Sequence, residues 1–214
     1  MKEHCFARPV RCAISAGGVL LALTFLAEAA VPKKAWAAPI AVTRASPTAL
    51  KLVAAARSQV GVTTGYDPSY VRLGYPGGDV DLSTGVCSDV VIRALRSLKI
   101  DLQERIHNDM GTNFSAYSKK WALKKPDANI DHRRVRNIAV YFTRRGYAVP
   151  NSDDPSTYVP GDIVSLQIPL DHIGIVSDRR KDGRPLLIHN VGDGAQEEDV
   201  LFRWKIVGHY RVLR

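Results

Sequence analysis

The chain has 214 residues, with 30 Lys and Arg against 21 Asp and Glu, a net charge of +9 and 45% hydrophobic residues. That length and apolar content suit one sizeable core, and one domain is the default. The basic residues are dispersed and form no basic–aromatic stripe, which argues against a nucleic-acid surface.

Residues 1–37 stand apart from the rest. Arg8 and Arg11 precede an apolar stretch over 12–27, and Ala35-Trp36-Ala37 has the small-x-small form of a cleavage site. This is the layout of a secretory signal peptide. Glu28, Pro32, Lys33 and Lys34 end the apolar run short of a comfortable membrane span. The expectation is export to the periplasm or beyond the cell, with no stable membrane span after cleavage. Residues 1–37 carry five Lys/Arg and two Asp/Glu, so cleavage lowers the net charge from +9 to +6. A moderately basic exported chain suits an anionic envelope partner such as cell wall. Cleavage also removes Cys5 and Cys12 and leaves Cys87 alone. An exported thiol without a disulfide partner is either buried or reactive.

Residues 38–46 read as a linker before a single domain over 47–214. Ser46-Pro47 supplies an N-cap and a first-turn proline, and Leu50, Val53, Ala54 and Val60 form an apolar stripe that ends at Gly61. Residues 62–84, with Tyr66-Asp67-Pro68 and Tyr75-Pro76-Gly77-Gly78, read as an irregular surface loop. The loop delivers the chain to Cys87, which opens a helix with Val90, Val91, Ala94, Leu95 and Leu98 on one side. A second helical run over 102–121 is expected to break at Met110-Gly111, and a charged connection follows over 124–136. Asn137 is the expected cap of a third helix that ends at a C′ glycine, Gly146. From residue 159 the period changes. Strands are predicted over 161–168 (Val164, Leu166 and Ile168 on one face), 172–176, 185–189 and 205–210, with a turn through Lys181-Asp182-Gly183. Helices followed by an antiparallel meander give an α+β class.

Cys87 sits where a helix N-terminus offers unpaired N–H groups and the positive end of the macrodipole. Both favour thiolate and make Cys87 a candidate nucleophile. A cysteine hydrolase also needs an imidazole to move the proton and a polar group to orient that imidazole. His172 opens a strand, and Gly174 two residues on shares its face and leaves room for a helix end. His189 lies on the next strand, where antiparallel pairing sets it beside His172. A one-residue register error would present Asn190 instead. Asp89, in the first helical turn, reads either as a dipole partner or as a contact for a cationic substrate group. Cys87, His172 and His189 contain no short-spaced ligand pair of the kind metal sites use, so neither a metal nor a cofactor is expected. His107, Asn108, Asp109 and His132 form a further polar group, read as surface residues ahead of a metal site or a substrate subsite.

Tyr158-x-Pro160-Gly161-Asp162-Ile163-Val164, Asp171-His172-Ile173-Gly174-Ile175-Val176 and Leu187-Ile188-His189 resemble the second half of the NlpC-type, papain-like cysteine peptidase domain. Around Cys87-Ser88-Asp89, His107-Asn108-Asp109-Met110 and Asp131-His132-Arg133-Arg134-Val135 the chain resembles a bacterial branch called DUF-1287. The resemblance covers roughly 47–214. It implies a papain-like fold with the Cys helix packed on an antiparallel sheet, Cys87 as nucleophile, His172 as base and acid, and His189 as orienter. It also implies Tyr75 as a lining residue and peptidoglycan peptides as substrate. The chain departs from the peptidase pattern at Val86 and Asp89, and in a helical insertion over about 101–158. Acyl transfer or ester hydrolysis on envelope lipids, and a non-catalytic envelope-binding module, are the competing readings.

Overall fold

The computed structural model describes residues 45–117 and 124–213. The expected signal peptide over 1–37, most of the expected 38–46 linker and Trp121 lie outside these residues. The described chain has α1 (Pro47–Arg57), α2 (Cys87–Ser97), α3 (Leu102–Asn113) and α4 (Val135–Arg144). The strands are β1 (Ala148–Val149), β2 (Ile163–Gln167), β3 (Asp171–Lys181), β4 (Arg184–Asn190), β5 (Ala195–Glu198) and β6 (Lys205–Tyr210). They form one antiparallel sheet in the order β1-β6-β2-β3-β4-β5, with helices packed on it. The class is α+β.

α1 begins as its sequence dictates. Ser46 is extended, its Oγ accepts from Ala49 N at 3.1 Å, and Pro47 fits the first turn. The buried face is Ala49, Leu52, Val53 and Ala56, while Leu50 and Val60 of the expected stripe are 43% and 42% exposed. Small residues decide the face. A Cβ on Gly161 would fall 2.8 Å from Ala49 Cβ, so the alanine side allows the closest approach.

α2 buries Val90, Val91, Ala94 and Leu95 as expected, and Ile92 as well. They join Leu52, Val53, Ile173, Ile175 and Ile188 in one core. Each large side chain buried there stabilises by about 1.5–3 kcal/mol. α3 runs straight through Met110-Gly111, against expectation. A helical glycine costs about 1 kcal/mol, and burial of Leu102, Ile106 and Met110 along one face offsets it. α4 is capped by Arg134 rather than Asn137, which lies inside the first turn with its Nδ2 donating to Asp131 O at 3.1 Å. Gly146, at φ +72°, ends that helix as a C′ glycine.

The sheet differs from a simple meander. β6 falls where expected but returns to lie between β1 and β2, and β5 takes the place beside β4. β2 is buried on both faces, because Tyr158, Val164, Leu166, Val176, Leu187, Val200 and Leu201 form a second core on the side away from α2. Asp182 and Gly183, both at positive φ (49° and 81°), close the β3–β4 hairpin in two residues.

Candidate active site

Cys87 is the first residue of α2, and the approach to it is tightly built. Gly85 has φ +154°, and a Cβ there would lie 3.1 Å from Asp89 Oδ2, so a side chain is strained by backbone conformation and would crowd the Asp89 carboxylate. Asp89 accepts from Val86 N at 2.7 Å and meets Arg133 through two bonds of 2.9 Å. Arg133 also donates to Ser69 O and Asp67 O, and Ser88 Oγ donates to Arg133 O at 2.6 Å. The loop at 67–69, the short 3-10 turn Asp131–Arg133 and the start of α2 are thereby tied together. Asp89 is 2% exposed and fully engaged. It is therefore an internal ion-pair partner, and the expected substrate contact is corrected.

The Cys87 thiol is 3% exposed. Burial pushes it up to about 12, while the backbone N–H groups of Ile173, Ser88 and Cys87 itself pull the other way and lose. The thiolate expected at a helix N-terminus is thus disfavoured: desolvation outweighs the dipole. A cleft of about 430 Å³ opens beside Cys87, walled by Tyr66, Tyr70, Arg133, Arg134, Leu170 and Asp171 among others. Burial raises the Tyr66 phenol to about 12 and keeps it a hydrogen-bond donor.

The two histidines meet. His172 Nε2 lies 2.9 Å from His189 Nδ1, with the rings edge to face at 85°. Both are buried, and Trp204 lies against them at ring distances of 5.9 and 6.0 Å. Burial lowers both imidazoles, His172 to about 3, so neither is charged at neutral pH. Strand alternation turns Ile173 and Ile175 towards the core that holds Cys87, and places His172 with its cross-strand partner Leu166 on the Trp204 side. Among the described residues no hydrogen bond joins Cys87 Sγ to either imidazole. The connection runs through the neighbours of His172, since Asp171 walls the cleft and the Ile173 N–H reaches the sulfur.

Gly174 does not make room for a helix end. A Cβ there would lie 2.8 Å from Leu187 Cγ, so the space serves the adjacent strand. Asn190 points away from His172. Its Nδ2 donates to Gly65 O and Gly85 O, both at 3.1 Å, and so pins the end of β4 to the turn before Cys87. Tyr75 is also elsewhere: 46% exposed, it bonds Asn108 Oδ1 at 3.3 Å and lies edge-on to His107, while Tyr66 and Tyr70 wall the cleft.

Asp109 of α3 accepts from Tyr117 OH, just beyond that helix, at 2.6 Å and from Arg144 Nε of α4 at 2.8 Å. His132 is buried, and burial lowers it to about 4. Among the described residues, no group of three or more His, Cys, Asp or Glu side chains is placed to hold a metal ion. Sequence reasoning missed Arg133, Trp204, Glu198, and Tyr66 and Tyr70 as walls. Each owes its place to contacts far along the chain, and only the charge of Arg133 hinted at a partner.

Residues 53–212 match the family described as Domain of unknown function (DUF1287), and the chain belongs to that family. It is 59% identical over 167 residues to the uncharacterized protein YijF of Escherichia coli (strain K12), covering 77% of this chain and 82% of that one. Among solved structures it is similar to NlpC1 from Trichomonas vaginalis, at 13% identity and a TM-score of 0.41, over 76% of this chain and 43% of that one. It is likewise similar to an N-acetylmuramoyl-L-alanine amidase from Bacteroides uniformis, at 11% identity and a TM-score of 0.46, over 78% of this chain and 99% of that one. Likeness at that level carries no inference about this chain's chemistry.

Proposed function

We propose that the chain is an exported cysteine hydrolase that cleaves a peptide or amide bond, with the peptides of peptidoglycan as substrate. The observation that carries this reading is the buried His172–His189 pair, 2.9 Å apart, with His172 flanked by Asp171, which walls the Cys87 cleft, and by Ile173, whose N–H reaches the sulfur. In the resting site both thiol and imidazole are neutral. Sulfur therefore attacks the substrate carbonyl as the thiol proton passes to His172 by way of a water, since no hydrogen bond joins the two side chains directly. The first-turn N–H groups of Cys87 and Ser88 serve the developing oxyanion. His172 then gives the proton to the leaving amine, and water resolves the thioester. His189 holds the His172 ring. The substrate class is supported by the resemblance to NlpC-type peptidases and by the basic charge left after residues 1–37 are removed. Export and periplasmic location belong to the same proposal.

The test is digestion of purified muropeptides by the mature chain, followed by mass spectrometry. New amine ends should appear, with a Cys87-linked acyl adduct on intact mass. Cys87→Ala should abolish both, and His172→Ala should slow cleavage by about a thousandfold or more. No cleavage and no adduct with any stem peptide would sink the hydrolase reading.

A further inference from the structure

Glu198 is placed to do something to the histidine pair. It lies on β5 opposite Leu187 of β4, whose face His189 shares. Its Oε2 stands 3.3 Å from His189 Nε2, with the Glu198 side chain 42% exposed and His189 fully buried. The approach is not aligned as a hydrogen bond, and His189 Nε2 has no other polar partner among the described residues. The other nitrogen of His189 meets His172 Nε2 at 2.9 Å. Carboxylate, imidazole and imidazole thus stand in a row.

A row of this kind has a direction. An ionised carboxylate only accepts, so it favours N–H at His189 Nε2. A neutral His189 then has its lone pair on Nδ1, which must accept from His172 Nε2–H. That leaves the His172 lone pair on Nδ1. Without the carboxylate the row can reverse: His189 Nδ1–H donates to His172 Nε2, and His172 carries its proton on Nδ1, where it is no base. The nitrogen opposite the contact decides which tautomer a histidine adopts. We propose that Glu198 is a positioning residue that sets the tautomers of both histidines and so keeps the His172 lone pair on Nδ1. Its catalytic meaning rests on the hydrolase reading, but its test does not.

The experiment is side-chain ¹⁵N spectroscopy of the mature chain at pH 7, with signals assigned through His172→Gln and His189→Gln. In the wild type both rings should carry the proton on Nε2. In Glu198→Ala the Nε2–H signal of His172 should fall at least twofold and an Nδ1–H signal appear. Glu198→Gln, whose amide donates as well as accepts, should fall between the two. Because Glu198 is partly exposed, both variants should keep the wild-type fold by circular dichroism. With substrate in hand, kcat should fall about tenfold in Glu198→Ala at constant KM. Identical tautomers in wild type and Glu198→Ala would overturn the assignment even if the protein cleaves muropeptides. A tautomer change in a chain that cleaves nothing would uphold Glu198 and overturn the hydrolase reading instead.

Discussion

Replacing Asp89 by Asn keeps the volume of the side chain and removes the charge that faces Arg133. Both side chains of this pair are 3% exposed, and both Arg133 contacts to the carboxylate are 2.9 Å long. Breaking a buried pair from one side costs about 3–5 kcal/mol, because the remaining charge is left in a medium that cannot solvate it. In a chain of this size each kcal/mol is worth about 2–4 °C, so Asp89→Asn should lower Tm by about 6–20 °C. The double variant Asp89→Leu with Arg133→Met exchanges the pair for apolar groups and should be more stable than the sum of its single variants predicts. Thermal melts of the mature chain by circular dichroism measure both. Salt should matter little here, in contrast to the half-exposed Arg136–Asp171 pair. A fall below about 3 °C, or strict additivity in the double variant, would refute the argument that this ion pair holds the loop and the 3-10 turn onto α2.

Cys87 should react slowly with iodoacetamide. A thiol near 12 instead of the usual 8.5 has about a thousandfold less thiolate at pH 7, and His172→Ala should leave the rate unchanged; fast alkylation at neutral pH that is lost in His172→Ala would reveal an ion pair and contradict the burial argument. Acid should destabilise the fold through its buried histidines. His172 is lowered to about 3 and His132 to about 4, so their contribution is whole above the unfolded value of 6.5 and is lost as pH falls from there towards 4 and 3. Each should cost about 2 kcal/mol between pH 7 and pH 5, and urea titrations of His132→Leu should show a pH dependence flatter by that amount; an unchanged slope would count against a neutral His132. Ser46→Ala removes the cap of α1 and should cost about 1 kcal/mol, read as a Tm drop of about 2–4 °C; no drop would mean that the contact to Ala49 N contributes nothing.

What the sequence made legible was local. Ser46-Pro47 sets the start of α1, Gly146 ends α4, and Asp182-Gly183 closes the β3–β4 hairpin, because each works through its own backbone conformation. The His172–His189 meeting could also be anticipated, since period and pairing alone bring neighbouring strands into register. The errors concern what packs against what. The buried face of α1 is chosen by the close approach of Gly161 to Ala49, more than a hundred residues away. β5, with the polar sequence Ala195-Gln196-Glu197-Glu198, carries no apolar alternation, and it is a strand because β4 offers it a partner. Tyr66 and Tyr70 lie in a loop whose course is fixed by Arg133.

The charge state of Cys87 shows the same division with magnitudes attached. A helix N-terminus is worth up to about 2 kcal/mol to a nearby anion, which amounts to roughly 1.5 pKa units. Burial pushes the thiol the other way, up to about 12, a rise that corresponds to about 4 kcal/mol. The dipole can be read from position in the sequence. The desolvation that beats it comes from burial in a core assembled from other segments of the chain, and it wins although the Ile173 N–H of β3 works against it. On the hydrolase reading this has a consequence for how the site must work. Charge separation between sulfur and His172 does not exist beforehand, so it has to arise with the attack itself, where the oxyanion donors and the oriented imidazole act together. A row of groups that holds the His172 lone pair on the correct nitrogen then matters more than one that would stabilise a resting thiolate.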